Sequence, residues 1–272
     1  MLGTIVWAVL ASQAAQAQEP ADAEIVLATT TSVRDAGLLE HVLPLFESAT
    51  GYRVKVIAVG SGQALALGRK GEADILIVHD PAAERTFMTG GFGVERVPLM
   101  SNEFVVVGPG RDDARIRGLS AVEAFRTIAL TGSRFVSRAD RSGTHTKEAL
   151  IWSLAGIAPN GAWYLESGQG MSATLQIANE LAAYVLTDIA TLFTHKSPLS
   201  LEILVQRDSL LDNPYHVLVP SRERFPWLNV QGATRLRTYL QSASVQQAIA
   251  AYRRQASGRS LFMPAVPAER QM

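Results

Sequence analysis

Strand signals in this chain are followed again and again by a loop of hydroxyl or glycine residues that runs straight into a helical pattern. That order restricts the chain to α/β architectures. Glu24-Ile25-Val26-Leu27-Ala28 reads as a short buried strand, and Leu38, Leu39, Val42, Leu43, Leu45 and Phe46 then recur at helical spacing up to Gly51. Val54 to Val59 reads as a strand, Ala64 to Arg69 as a short helix and Ile75 to Val78 as a strand. Further strands are expected at Phe104–Val107, Phe135-Val136, Tyr184-Val185-Leu186 and His216–Val219, with helices at Lys147–Leu154, Ala173–Leu181 and Leu236–Tyr252. The alternation predicts mostly parallel sheets.

Composition narrows the function classes. With 272 residues the chain is long enough for one large domain or two lobes. Its 25 Lys+Arg balance 25 Asp+Glu, which argues against a general nucleic-acid-binding face. The absence of cysteine excludes disulfide scaffolds, thiolate metal sites and thiol catalysis. Met1 to Ala17 carries no charged side chain, and its short apolar stretch, Leu2 to Ala11, is followed by Ala15-Gln16-Ala17, a small-residue cleavage pattern. The expectation is a signal peptide over residues 1–17, set against a buried N-terminal helix, because the apolar stretch is too short for a bilayer core of about 30 Å. A free periplasmic protein follows from that reading.

Four loops carry the chemistry. They are Thr29-Thr30-Thr31-Ser32, Gly60-Ser61-Gly62-Gln63, Ser137-Arg138-Ala139-Asp140-Arg141-Ser142-Gly143-Thr144-His145 and Ser167-Gly168-Gln169-Gly170-Met171-Ser172. Each precedes a helix, whose first turn offers unpaired N–H groups and about half a unit of positive charge. Hydroxyls add uncharged donors, and glycines let the backbone approach closely. Any single loop reads as an ordinary N-cap. Together, at the carboxyl ends of strands, they suit a small oxyanion. Arg138 fits either as an anion contact or as the partner of Asp140 or Glu148.

Several blocks of sequence resemble the tungstate-binding periplasmic proteins of ABC importers, a branch of the type II solute-binding proteins that include molybdate and phosphate binders. The blocks are Ala28–Ser32 with Asp35–Leu39, Val54–Leu65, Gly71–His79, Asn102–Pro109 and Phe135–His145 with Glu148 and Trp152. The resemblance implies an α/β, two-lobed periplasmic-binding-protein type II fold with the anion in the interlobe cleft. Lobe 1 would comprise residues 18–108 plus 213–272, and lobe 2 residues 109–212. Carried over motif by motif, the ligand set is Thr30, Thr31, Ser32, Ser61, Arg138, Ser142, Gly143 and Thr144, with Gly170, Met171 and Thr187 from the second half. Asp188 would help close the cleft. The third loop departs from the family pattern at Ala139 and Arg141, where acidic residues or glycine are common. The partner implied is an inner-membrane ABC permease, with the binding protein monomeric and free of cofactor, nucleic acid or bound metal.

Tungstate, molybdate and sulfate only accept hydrogen bonds at neutral pH, whereas hydrogen phosphate also needs an acceptor for its proton. Asp140 is the acid of the third loop that could supply one. With Asp140 turned away, the site favours tungstate, molybdate or sulfate; the choice of tungstate among them rests on the resemblance. Three other readings stand beside it. Gly168-x-Gly170-x-x-Ala173 with Asp188 about 20 residues on matches a dinucleotide fingerprint, which would make the chain an NAD-dependent enzyme. Ser142 with His145 could be a hydrolytic pair, although no G-x-S-x-G elbow is present. An organic ligand such as an amino acid would need aromatic partners, and the four loops contain none.

Overall fold

The computed structural model describes residues 23–252 and 260–265. The expected signal peptide therefore lies outside the described residues. In chain order the elements are β1 (Glu24–Thr30), α1 (Thr31–Asp35), α2 (Leu38–Thr50), β2 (Arg53–Val59), α3 (Ser61–Lys70), β3 (Ile75–Val78), α4 (Pro81–Thr89) and β4 (Gly93–Pro109). They continue with α5 (Ala121–Thr131), β5 (Phe135–Ser137), α6 (Gly143–Leu154), β6 (Tyr164–Glu166), α7 (Met171–Glu180), β7 (Val185–Asp188) and α8 (Ile189–Thr194). The last are β8 (Leu201–Val205), β9 (Asp212–Pro220), α9 (Val230–Leu240), α10 (Ala243–Ala251) and β10 (Met263–Pro264).

The fold class is α/β, but the sheets are mixed rather than mostly parallel. β1 pairs in parallel with β2 and β3, and β5 with β6. By contrast, β9 runs antiparallel to both β3 and β4, and β7 and β8 run antiparallel to β4. The physical reason lies in β4, a 17-residue strand that the sequence reveals only at Phe104–Val107. Its first part, Gly93 to Glu103, pairs with β9, and from Phe104 onward it pairs with β7 and β8. One strand is thus shared between two sheets, and the strands beside it, β7, β8 and β9, all run antiparallel to it.

Both sheets are covered on each face. In β3, Ile75 and Ile77 pack with Ile25, Val42, Phe46 and Leu236, while Leu76 and Val78 pack with Ala64, Leu65 and Phe87 on the opposite side. In the second half of β4, Phe104 and Val106 meet Phe125, Trp152 and Leu186, while Val105 and Val107 meet Leu175, Val185 and Ile189. This period-two sorting is what a strand buried on both faces requires. The helix expected over Leu236–Tyr252 is two helices, since the Ser242 side chain accepts from the Val245 amide and starts α10 afresh. Among the described residues no helix is long and apolar enough to cross a membrane.

Candidate functional site

Three helix starts meet where the first sheet's loops face the second half of the chain. Thr30 caps α1, accepting from the Val33 amide at 3.4 Å, and its hydroxyl lies 3.0 Å from that of Ser32. Ser61 is the first residue of α3 after Gly60, and Gly143 the first of α6 after the Ser142 cap. The two starts touch: a Cβ at Gly143 would lie 3.1 Å from Ser61 Oγ and 2.9 Å from His79 Cε1, and one at Gly60 would lie 3.8 Å from the Ser142 Cα. Gly143 is therefore glycine for close approach. Ser32, Ser61, Arg138, Ser142 and Thr144 are all buried.

Within this junction two polar atoms have no partner, Ser61 Oγ and Arg138 Nε. Each costs free energy on the order of 1–3 kcal/mol unless something accepts from it. The rest of the Arg138 guanidinium donates to Thr144 Oγ1 at 3.4 Å and to Asp140 Oδ2. Of the two partners left open by the sequence, Asp140 is therefore the one taken. Its other oxygen accepts from the Ser142 amide at 3.1 Å, so both carboxylate oxygens are occupied inside the loop. Ala139 and Arg141 sit at φ of 49° and 59°, the left-handed region that favours glycine, which explains why these two positions stand out in the sequence.

The remaining expected residues are placed less centrally. Thr31 opens α1 half-buried, and Gly170 is exposed at the cap of α7 with Met171 buried in the second core behind it. That loop joins the site through Ser167, whose hydroxyl donates to the Arg138 carbonyl at 3.4 Å. Thr187 is buried in β7 and its hydroxyl donates to the Asp188 carbonyl at 3.3 Å. Asp188 caps α8 through Thr191, so it stands as a structural cap in the place where the dinucleotide reading needs a ribose-binding acid. Ser142 Oγ accepts from the His145 amide while His145 Nδ1 accepts from the Arg141 amide, a capped helix start rather than a hydrolytic pair. Among the described residues no cluster of His, Asp or Glu is arranged to hold a metal ion.

Sequence reasoning assigned no role to a buried polar chain beneath the site. Asp188 Oδ1 accepts from Asn102 Nδ2 at 3.3 Å, Asn102 Oδ1 from Asn213 Nδ2 at 2.7 Å, and Asn213 Oδ1 lies 2.9 Å from His79 Nδ1. His79 Nε2 then lies 3.4 Å from Ser32 Oγ. The directions are fixed from the carboxylate end, because an acceptor-only group forces Asn102, then Asn213, to present one amide edge each. His79 Nδ1 must carry the hydrogen, which leaves Nε2 of the neutral ring to accept from Ser32. Burial lowers the His79 pKa, opposed by the Asp188 carboxylate and the Asn213 hydrogen bond. The available signal was positional: a polar residue directly after a buried strand, at its carboxyl end. Behind Arg138, Glu148 accepts from Ser137 Oγ, Trp152 Nε1 and the Tyr164 hydroxyl at 2.9, 3.2 and 2.8 Å. Burial pushes its pKa up to about 7.

Two sheets sharing a strand, with helix starts gathered between them, define a solute-binding class, and the PBP superfamily domain matches residues 14–244. The tungstate-binding protein TupA of Peptoclostridium acidaminophilum is 40% identical over 247 residues, 90% of this chain and 86% of that protein. The tungstate ABC transporter structure from Geobacter sulfurreducens aligns with a TM-score of 0.77 at 42% identity, covering 84% of this chain and 98% of that one. TupA from Desulfovibrio alaskensis G20 gives 0.76 at 35% identity, over 90% of this chain and 99% of that one. The chain belongs to the PBP superfamily and, within it, to the family of these TupA proteins.

Proposed function

We propose that the protein is an extracytoplasmic binding protein that captures tungstate and hands it to an ABC permease in the inner membrane. The observation that carries this reading is the pair of buried, unpartnered donors, Ser61 Oγ and Arg138 Nε, beside the N-terminus of α6. They supply what a fully ionised oxyanion needs, and the named function of the TupA relatives supplies the anion. A family of binding proteins in transport makes this a carrier rather than an enzyme. Thr30, Thr31, Ser32, Ser142 and Thr144 complete the proposed ligand set, with Gly170, Met171 and Thr187 at its margin.

The anion would lie between two lobes, residues 18–108 with 213–272 and residues 109–212. The change of partners along β4 between Glu103 and Phe104 supports a hinge close to the first of those boundaries. Asp140 directs one oxygen to Arg138 and the other to the Ser142 amide within its own loop, which supports a site that meets the anion with donors. Calorimetric titration of the chain lacking residues 1–17 tests the proposal. Tungstate binds, and phosphate does not at the same concentration; equal binding of phosphate would sink the donor-only site. Arg138→Ala lowers the affinity at least about 100-fold, since it removes charge-assisted hydrogen bonds of about 1.5–3 kcal/mol each. Ser61→Ala lowers it about tenfold without lowering the melting temperature of the free protein, because it removes a hydroxyl that makes no internal bond and costs free energy while it is buried unpartnered.

A further inference from the structure

The chain of amides beneath the site has a consequence for protons, which rests on the oxyanion reading above. Ser32 Oγ carries a single hydrogen. The hydroxyls of Thr30 and Ser32 lie 3.0 Å apart and Thr30 also accepts from the Val33 amide; Thr30 donates across this contact when the Ser32 hydrogen is directed elsewhere. The Ser32 hydrogen then goes to His79 Nε2, because the ring's other nitrogen is held as a donor by Asn213. An oxyanion that takes the Ser32 hydrogen leaves Nε2 bare, lone pair facing lone pair across 3.4 Å, in a fully buried place beside a dianion. A proton on Nε2 removes that conflict. The imidazolium donates to Ser32 Oγ, and Ser32 donates onward to the anion.

We infer that capture of the oxyanion is accompanied by the uptake of one proton from solvent, on Nε2 of His79. His79 is thus a positioning residue: it touches Ser32, and through Ser32 it sets whether a hydroxyl hydrogen is available to the ligand.

The surroundings agree in sign. From the end of β7 the Asp188 carboxylate and from α4 that of Glu84 favour a charged ring, while Arg138 in the loop after β5 and burial itself oppose it. Glu84 is held by Arg96 and His216 at 2.8 and 3.0 Å. From β9 the ring meets Asn213 and the face of Tyr215, centroids 4.7 Å apart, and from β4 it meets Phe104 at 6.3 Å; these carry no charge. The pKa of Tyr215 is raised well above 10 by burial, so its hydroxyl stays protonated; that hydroxyl accepts from Asn213 Nδ2 and is a further hydrogen-bonding neighbour of Ser32. The charge of Arg138 is already partly cancelled by Asp140. A bound dianion therefore outweighs the positive charge around it, and its field raises the His79 pKa from a low starting point.

The inference is tested by titrating the protein with sodium tungstate at pH 7 to 8.5 in two buffers of small and large ionisation heat. The difference in apparent enthalpy counts protons, and about one is absorbed per tungstate at pH 7. His79→Gln keeps an uncharged polar end and absorbs none. For the unaltered protein the affinity falls as pH rises, by up to tenfold per unit between the free-form and bound-form pKa values of His79, while for His79→Gln it is flat. Tungstate binding with no proton absorbed, or with the same count in His79→Gln, would overturn the inference and leave the binding function standing. Neither heat nor thermal stabilisation from tungstate would overturn the binding function and the inference with it.

Discussion

Glu148 shows how much of the site is built one layer behind its ligands. Its carboxyl group is held by Ser137, Trp152 and Tyr164 directly below Arg138, and the Arg138 amide also bonds to it. Burial raises its pKa from 4.5 to about 7, so between those values the folded state holds a proton that the unfolded state has lost. Stability therefore falls as pH rises through this window, by about 3 kcal/mol in total at 1.36 kcal/mol per unit. The melting temperature should drop between pH 5 and pH 8, and Glu148→Gln should flatten that slope; an equally steep slope in the variant would place the titration elsewhere. At this scale the sequence pointed to Ser61 and Arg138 as candidates, because clustered hydroxyls and arginines stand out at helix starts. It hid His79 and Asn213, whose partners lie 134 residues apart and come together only through strand pairing.

Strand β4 is where local patterns fail and tertiary pairing decides. Its second part is a run of buried valines that any period count finds, whereas Gly93 to Glu103 alternates irregularly and includes Pro98. Pairing with β9 organises that part, with Asn102 directly opposite Asn213. The antiparallel return of β9 was not legible either, because a strand's direction is set by its neighbour and not by its residues. The α6 helix was read only from Lys147 onward; its first turn, Gly143 to Thr146 after the Ser142 cap, carries glycine and threonines that are poor helix formers. The Asn102–Asn213 pair ties the two sheets through Asp188, so each amide is essential to the other. Asn102→Ala leaves Asn213 Nδ2 with Tyr215 alone and takes one donor from Asp188. A loss of about 2 kcal/mol is expected in urea unfolding. A change below about 0.5 kcal/mol would mean the pair is dispensable.

At the scale of the whole molecule, the contact between the α3 and α6 starts is, on the two-lobed reading proposed above, that of a closed cleft. Ser61 and Gly143 come from opposite sheets, and the would-be Cβ of Gly62 lies only 3.7 Å from the Arg141 carbonyl oxygen. The donors left without partners make this arrangement costly on its own, and an anion that accepts from both sides offsets the cost. Without ligand the equilibrium should favour separated lobes, turning about β4 near Glu103, where that strand leaves one sheet for the other, and about the start of β9 at Asp212. Tungstate should then contract the molecule, lowering a radius of gyration of about 18 Å by on the order of 1 Å in small-angle scattering. At a thousandfold excess over Kd it should also raise stability by about 4 kcal/mol, or roughly 8–16 °C in melting temperature. Gly62→Trp separates closure from contact, because Gly62 is exposed and its bulk would wedge the two helix starts apart without removing a donor. That variant should bind tungstate more weakly and contract less, while its ligand-free scattering stays that of the unaltered protein. If it binds as tightly and contracts as far as the unaltered chain, the α3–α6 contact plays no part in holding the anion.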